Sequence, residues 1–412
     1  MKEPSTSKMS KDAATKMPID VDLLSHCVHC GLCLEVCPTY QLSGDENNSP
    51  RGRLRLWREE ADGRLQPDPW TATYTAECVG CLACEPACPA NVPYGHSLEM
   101  IRKNHVAEGR TPIPRRLKWA ARLVKHPRLL QWASMPVRWL RRRGWLRHRF
   151  AFPGQPTVVE STARYAQRLM QIHQPTGQKV ALLTGCLMEA VFREINLATV
   201  RVLIENNIQV VVPTEQTCCG AFAEHLGLPI DGQNQKRNKR AFASGGIEAV
   251  LANSSGCGLA LRKALSDQIP VMDVLTFLAT QPLKRRDRPD EETQVYVDLP
   301  CHLVHGQREP GIAESVLDAT GYRWELAPQA RDCCGSGGVY NITHPENAQK
   351  ILAGKSAFLN GAPGNPVILA TSNHVCMMQW HSAGRTGLVN RPFDVRHIIQ
   401  LLDPGPNAFA SR

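Results

Sequence analysis

The sixteen cysteines of this 412-residue chain fall into two kinds of repeat that together use every one of them. The first kind reads Cys27-x2-Cys30-x2-Cys33-x3-Cys37-Pro38 and returns as Cys78-x2-Cys81-x2-Cys84-x3-Cys88-Pro89. The second reads Cys186…Cys218-Cys219-Gly220…Cys257 and returns as Cys301…Cys333-Cys334-Gly335…Cys376. The lone cysteine precedes the adjacent pair by 32 positions in both copies. The copies are displaced by 115 residues at the first three cysteines and by 119 at the last. Thiolates are soft anionic ligands, so this much ordered thiol implies redox or metal chemistry, and the first spacing points to iron–sulfur.

A 4Fe-4S cube needs four thiolates at tetrahedral corners. Cys-x2-Cys-x2-Cys wraps a tight turn around three of them. In two-cluster ferredoxins the fourth cysteine, beside proline, reaches the other cluster. The expected ligands are therefore Cys27, Cys30, Cys33 and Cys88 for one cluster and Cys78, Cys81, Cys84 and Cys37 for the other. Proline after the last ligand diverts the chain, because it lacks an N–H and restrains the residue before it. Zinc is the alternative. Zinc ribbons use separated Cys-x2-Cys pairs rather than three evenly spaced cysteines with Cys-Pro.

In the second repeat, adjacent side chains on a strand would point to opposite faces. Cys218 and Cys219 can aim at one site only from a turn, and Gly220 supplies the backbone freedom. With Cys186 and Cys257 the first module offers four thiolates. Cys301, Cys333, Cys334 and Cys376 do so in the second. Each set suits an iron–sulfur cluster, zinc, or a redox dithiol.

The elements that must position these thiols follow one order in each copy. A buried strand (Lys179–Thr184; Gln294–Asp298) runs into the first cysteine. An amphipathic helix follows (Ile195–Asn206; Ile312–Thr320), then a second strand (Val210–Val212; around Trp324) and the Cys-Cys-Gly turn. A helix then leads to a third strand (Ala249–Asn253; Val367–Thr371) that ends before the last cysteine. Alternating strands and helices predict parallel sheets, with thiols gathered at the strands' carboxyl ends. The expected fold is multidomain α+β. A mainly helical two-cluster ferredoxin-like domain (21–110) precedes two duplicated α/β parallel-sheet Cys-Cys-Gly modules (176–285 and 293–405). Residues 1–20 are too polar to bury a core and read as disordered. Residues 111–175 form a basic, Trp-rich connector cut into short helices by proline, and a charged linker, 282–292, joins the modules.

The N-terminus, Lys-rich and without an apolar stretch, argues against a secretory signal. No apolar run is long enough to span a membrane. A disulfide framework is therefore not expected, and a cytoplasmic location is. The formal charge of +10 is uneven: Arg110 to Phe150 holds thirteen Lys or Arg and no Asp or Glu. With Trp119, Trp132, Trp139 and Trp145, this segment suits anionic lipid headgroups, an acidic partner subunit or, in the abstract, RNA, unless it is a solvated face with its tryptophans turned inward.

The order of two ferredoxin motifs and two Cys-Cys-Gly modules resembles the glycolate oxidase (glycolate dehydrogenase) iron–sulfur subunit family. Relatives of that family serve lactate utilisation, anaerobic glycerol-3-phosphate dehydrogenase and heterodisulfide reductase. The stretches Cys37-Pro-Thr-Tyr-Gln-Leu-Ser-Gly-Asp45, Pro50-Arg-Gly-Arg53 and Ser382-Ala-Gly-Arg-Thr386 are particularly similar. The resemblance implies an electron-transfer subunit of a flavin-dependent 2-hydroxyacid dehydrogenase, with no catalytic residue of its own. Its partners would be a flavoprotein subunit and a membrane acceptor, quinone in the family. It would hold two 4Fe-4S clusters, with a further cluster or zinc in the modules, and make peripheral contact with the membrane's cytoplasmic face. Nucleic acid is not expected. The competing readings are a heterodisulfide-type thiol reductase, a lactate or glycerol-3-phosphate subunit, and a redox sensor. In one respect the chain departs from the pattern. Heterodisulfide-type modules end in Cys-x2-Cys, whereas here Ser254 precedes Cys257 and Asn373 precedes Cys376. Asparagine is a poor iron ligand, so the second module is the one expected to have changed or lost its cluster.

Three weaker features remain. Cys333-Cys-Gly-Ser-Gly-Gly338 lacks the strand–GxGxxG–helix order of a dinucleotide site. His302 and His305 follow Cys301 and read as structural. Arg51 and Arg53 read either as donors to a cluster or carboxylate, or as a solvated helix start.

Overall fold

The computed structural model describes residues 21–133, 135–136, 160–243, 245–265, 268–287, 292–309, 311–312 and 314–409. The segment 1–20, Trp139, Trp145 and part of the charged linker lie outside the described residues. The N-terminal region is helical: Pro38–Ser43, Pro50–Ala61, Pro69–Ala76 and Tyr94–Ala107 surround the first two cysteine motifs. Three of these helices open on proline, whose missing N–H costs nothing at a first helical position. Leu24, Leu54, Trp57, Tyr94, Leu98 and Ile101 form their common core together with Cys78 and Cys84.

Each Cys-Cys-Gly module is built on a four-stranded parallel sheet. The first uses β1 (Lys179–Leu183), β2 (Gln209–Val211), β3 (Ala249–Ala252) and β4 (Val271–Asp273), in the order β2-β1-β3-β4. The second repeats it with β5 (Gln294–Val297), β6 (Arg323–Leu326), β7 (Val367–Thr371) and β8 (Asp394–His397), in the order β6-β5-β7-β8. β4 and β8 are additions to the three strands expected per module. The central strands are buried on both faces, as parallel strands covered by helices must be. Alternate residues therefore enter different cores. Val180 and Leu182 face one, and Ala181 and Leu183 face the other. The first of these cores runs on without a break through Val295, Val297, Leu369 and Trp380, so the two modules share it. Arg201 Nε donating to Asp403 at 2.7 Å adds a charged clamp across the same junction.

The connector forms the helices Arg115–Val124 and Pro127–Ala133. The first buries Leu117, Ala121 and Val124, while Trp119 and Trp132 are exposed. For these two, the inward-packing reading does not hold. Among the described residues no helix is long and apolar enough to cross a membrane.

Candidate iron–sulfur centres

None of the sixteen cysteines is in a disulfide. In the N-terminal region they line two small adjoining cavities. Cys27, Cys30, Cys33, Cys84 and Cys88 line the first. Cys37, Cys78, Cys81 and Cys84 line the second. Each cavity thus mixes cysteines of both motifs, and Cys84 lines both. Left-handed backbone at His29, Gly31, Gly80 and Leu82 winds the chain tightly enough to turn successive cysteines inward. Cys30 lies exposed, flanked by exposed Val28 and Leu32, whereas Cys37, Cys78 and Cys84 are buried.

Burial pushes the Cys33 thiol up to about 11 and pushes Cys84 up as well. Burial also raises Cys37, against the opposing pull of Arg53 and the Thr39 hydroxyl. Thiols that resist ionising alone are ionised once a cationic metal core binds them, because the ion's charge reverses the local balance. Among the described residues no three Cys, His, Asp or Glu side chains are drawn together tightly enough to grip a single metal ion. The donor set and its spacing fit a larger, soft, positively charged group.

Two arginines complete this region. Arg51 pairs with Glu46 at 2.6 Å and donates to the His29 carbonyl at 2.9 Å, fixing the first cysteine loop. Arg53 is fully buried rather than solvated. It donates to the Tyr74 carbonyl at 2.7 Å, Asn48 Oδ1 at 3.0 Å and Thr39 Oγ1 at 3.2 Å, and its charge acts on Cys37 and Cys78. The Tyr94 hydroxyl donates to Cys78 Sγ at 3.5 Å.

In the modules the thiols sit where α/β sheets bind ligands. Cys186 follows β1 and Cys257 follows β3, the two strands between which the chain reverses its winding direction. Gly220 (φ 97°) and Gly335 (φ 84°) hold the Cys-Cys turns in left-handed backbone. Cys218 Sγ lies 3.7 Å from Cys186 Sγ, and Cys219 hydrogen-bonds Cys257. In the second module Cys301 packs against the cluster that holds Cys333, and Cys334 and Cys376 lie close enough to act on each other's ionisation. The Cys218 bond and burial push Cys186 up, and Cys334 and burial do the same to Cys376.

The second module also meets the N-terminal region at its thiols. Cys81 packs against the cluster that holds Cys333. Val79 packs with Cys333, Tyr340, Ala348 and Ile351. His302 Nε2 lies 2.9 Å from the Gly80 carbonyl and its ring stacks on His225 at 5.4 Å. His305 meets the Arg331 carbonyl. Both histidines join segments, in keeping with the structural reading. Ser254 and Asn373, the two substituted positions, meet each other: the serine hydroxyl donates to Asn373 Oδ1 at 3.0 Å, and Asn373 Nδ2 donates to Cys376 Sγ at 3.4 Å.

Sequence reasoning missed the buried Lys355–Asp298 pair beside Cys334. The local signal was faint. Asp298 ends an apolar strand, and Lys355 follows Ile351 by four residues, on the same helical face.

The chain matches the family model described as a 4Fe-4S dicluster domain over residues 23–92 and the cysteine-rich domain model over 180–262 and 295–380. It is 31% identical to the probable glycolate oxidase iron-sulfur subunit of Bacillus subtilis, covering 88% of this chain and 90% of that protein. It is 30% identical to the glycolate oxidase iron-sulfur subunit of Escherichia coli, covering 92% and 94%. Similarity extends at 24% identity to a subunit of the dihydromethanophenazine:CoB–CoM heterodisulfide reductase of Methanosarcina barkeri, over 92% and 93%.

Proposed function

As the chain belongs to the family of glycolate oxidase iron–sulfur subunits, we propose that it is the electron-transfer subunit of a flavin-dependent glycolate dehydrogenase. Electrons would come from a flavoprotein subunit and leave for a membrane acceptor, quinone by the family's pattern. The observation that carries this reading is the pair of adjoining cysteine-lined cavities at the N-terminal end. One 4Fe-4S cluster would be held by Cys27, Cys30, Cys33 and Cys88, and a second by Cys37, Cys78, Cys81 and Cys84. When bound, such clusters supply one-electron redox capacity at a potential set by hydrogen bonds and solvent exposure.

The chain's own residues do the rest. Arg51 fixes the exposed first loop, which leaves Cys30 near solvent where a partner can approach. Arg53 and Tyr94 offer a cation and a hydroxyl donor beside the buried set. In the modules, Cys186, Cys218, Cys219 and Cys257, and Cys301, Cys333, Cys334 and Cys376, are the ligands for a further iron–sulfur group in each. The hydrogen bond between Ser254 and Asn373 speaks against the heterodisulfide reaction, because the positions that would supply a fifth thiolate are occupied by each other. The basic connector, with Trp119 and Trp132 exposed, suits peripheral contact with an anionic membrane on its cytoplasmic face.

The test is glycolate oxidation with an artificial dye. The anaerobically purified chain alone should give no turnover, and adding the flavoprotein subunit should restore it. Robust dye reduction by the flavin-free chain would refute the division of roles.

A further inference from the structure

The two modules hold the same four thiols over different floors. In the first, Leu183 stands three residues before Cys186 and packs with Phe242 and Cys219 in an apolar cluster. In the second the matching residue is Asp298, three before Cys301 and equally buried. Its carboxylate accepts from the Lys355 ammonium and, at 2.8 Å, from Trp380 Nε1. Lys355 is 3% exposed. It also donates to the carbonyl of Asp332, immediately before the cysteine pair, at 2.6 Å. The ammonium is thus turned toward the Cys333–Cys334 turn, and both thiols lie within its electrostatic reach, while Trp380 draws the carboxylate's other oxygen away. Burying an ion pair costs several kcal/mol per ion before the attraction is counted. The first module adopts the same sheet with the apolar Leu183 at the matching position, so the fold does not require a charge there.

Two further differences point the same way. Cys333 packs with Val79 and Cys81 of the N-terminal region, whereas Cys186 and Cys218 are covered by Val124 of the connector. Asn373 offers Cys376 Sγ an amide N–H where the first module sets the Ser254 hydroxyl beside Cys257, and hydrogen bonds to cluster sulfurs are among the factors that set potential.

We propose that the second module is the one that exchanges electrons with the N-terminal pair, and that Lys355, oriented by Asp298, is the positioning residue that favours its reduced state. This rests on the reading that the module thiols hold an iron–sulfur group. The exchange moves one electron between the group on Cys37, Cys78, Cys81 and Cys84 and the group on Cys301, Cys333, Cys334 and Cys376. One group is oxidised as the other is reduced, and no bond is made or broken. An added electron is an added negative charge in a low-dielectric site, and a fixed cation lowers its cost.

The test is an EPR-monitored redox titration of the full-length chain, purified anaerobically. Loss of a signal in Cys376→Ala identifies the second module's group, and loss in Cys257→Ala identifies the first's. The double variant Asp298→Leu/Lys355→Met reproduces the first module's apolar floor and leaves no unpaired charge. It is expected to keep the parent's iron, to shift the second module's midpoint to more negative potential, and to leave the first module's in place. Lys355→Arg, which keeps the charge, should hold the parent midpoint. If the double variant fails to accumulate, Asp298→Asn decides: removing the anion while keeping the cation should move the midpoint positive. A full-iron double variant with an unmoved midpoint, or an unmoved or negative shift in Asp298→Asn, overturns this proposal and leaves the cluster reading standing. If Cys376→Ala removes neither iron nor signal, the cluster reading of the second module fails, and this proposal falls with it.

Discussion

Cys37 is the residue at which the exchanged ligand arrangement is most exposed to experiment. It belongs by sequence to the first motif and lines the cavity of the second, where Thr39 Oγ1 lies 3.3 Å from its sulfur. Cys37→Ser should therefore strip or alter the cluster shared with Cys78, Cys81 and Cys84 and spare the one shared with Cys27, Cys30 and Cys33. EPR of the variant, compared with Cys30→Ser, separates the two. Loss confined to the Cys27–Cys33 cluster would overturn the pairing. At this scale the grouping of the cysteines was legible, because their spacing is itself the signal. Arg53 and Lys355 were not. A charged residue reads as solvated by default, and only a tertiary partner brings it inside: Asn48 and Tyr74 for one, Asp298 for the other.

Among the elements, the Cys-Cys-Gly turns make the sharpest demand on geometry. A Cβ on Gly335 would sit 2.7 Å from the Ala348 carbonyl oxygen, with φ already left-handed. A Cβ on Gly220 would meet only the Ile230 side chain, at 3.0 Å. Backbone cannot yield as a side chain can, so Gly335→Ala should cost more than Gly220→Ala, roughly 3 against 1 kcal/mol. Denaturant unfolding of the two variants ranks them, and equal losses would contradict the geometry.

A second expectation at this scale concerns pH. Glu224, on the helix Ala221–His225, is pushed up to about 7 by burial and by Glu99 of the helix Tyr94–Ala107. Lys263 and Lys103 pull against this. The folded state therefore holds this proton more tightly than the unfolded chain. The stability it contributes is complete below the ordinary carboxylate range and is lost as pH rises from about 4.5 to about 7. Glu224→Gln should flatten the pH dependence of stability across that window, and an unchanged slope in pH-dependent unfolding would count against it.

The long central strands were readable from their apolar runs. β4 and β8 were not, since three or four residues carry too little pattern: Val271–Asp273 and Asp394–His397 gain their identity by pairing with β3 and β7.

Across the whole molecule, the thiol groups form a continuous arrangement rather than separate domains on a string. Cys81 meets Cys333, Cys334 meets Cys376, and Asn373 carries the contact on to Ser254 of the first module. No periodicity could reveal this, because Cys81 and Cys333 belong to different motifs and are joined only by the packing of Val79 into the second module. The same packing means that the N-terminal region is best studied in place: cutting it away would uncover Val79's apolar partners. The most direct measurement is therefore made on the intact chain, purified without oxygen and assayed for iron, acid-labile sulfide, zinc and flavin. An electron-transfer subunit of this family should hold about eight iron atoms with matching sulfide for the N-terminal pair alone, more if the modules are loaded, and no flavin. Zinc in place of iron, or flavin bound in stoichiometric amount, would contradict it.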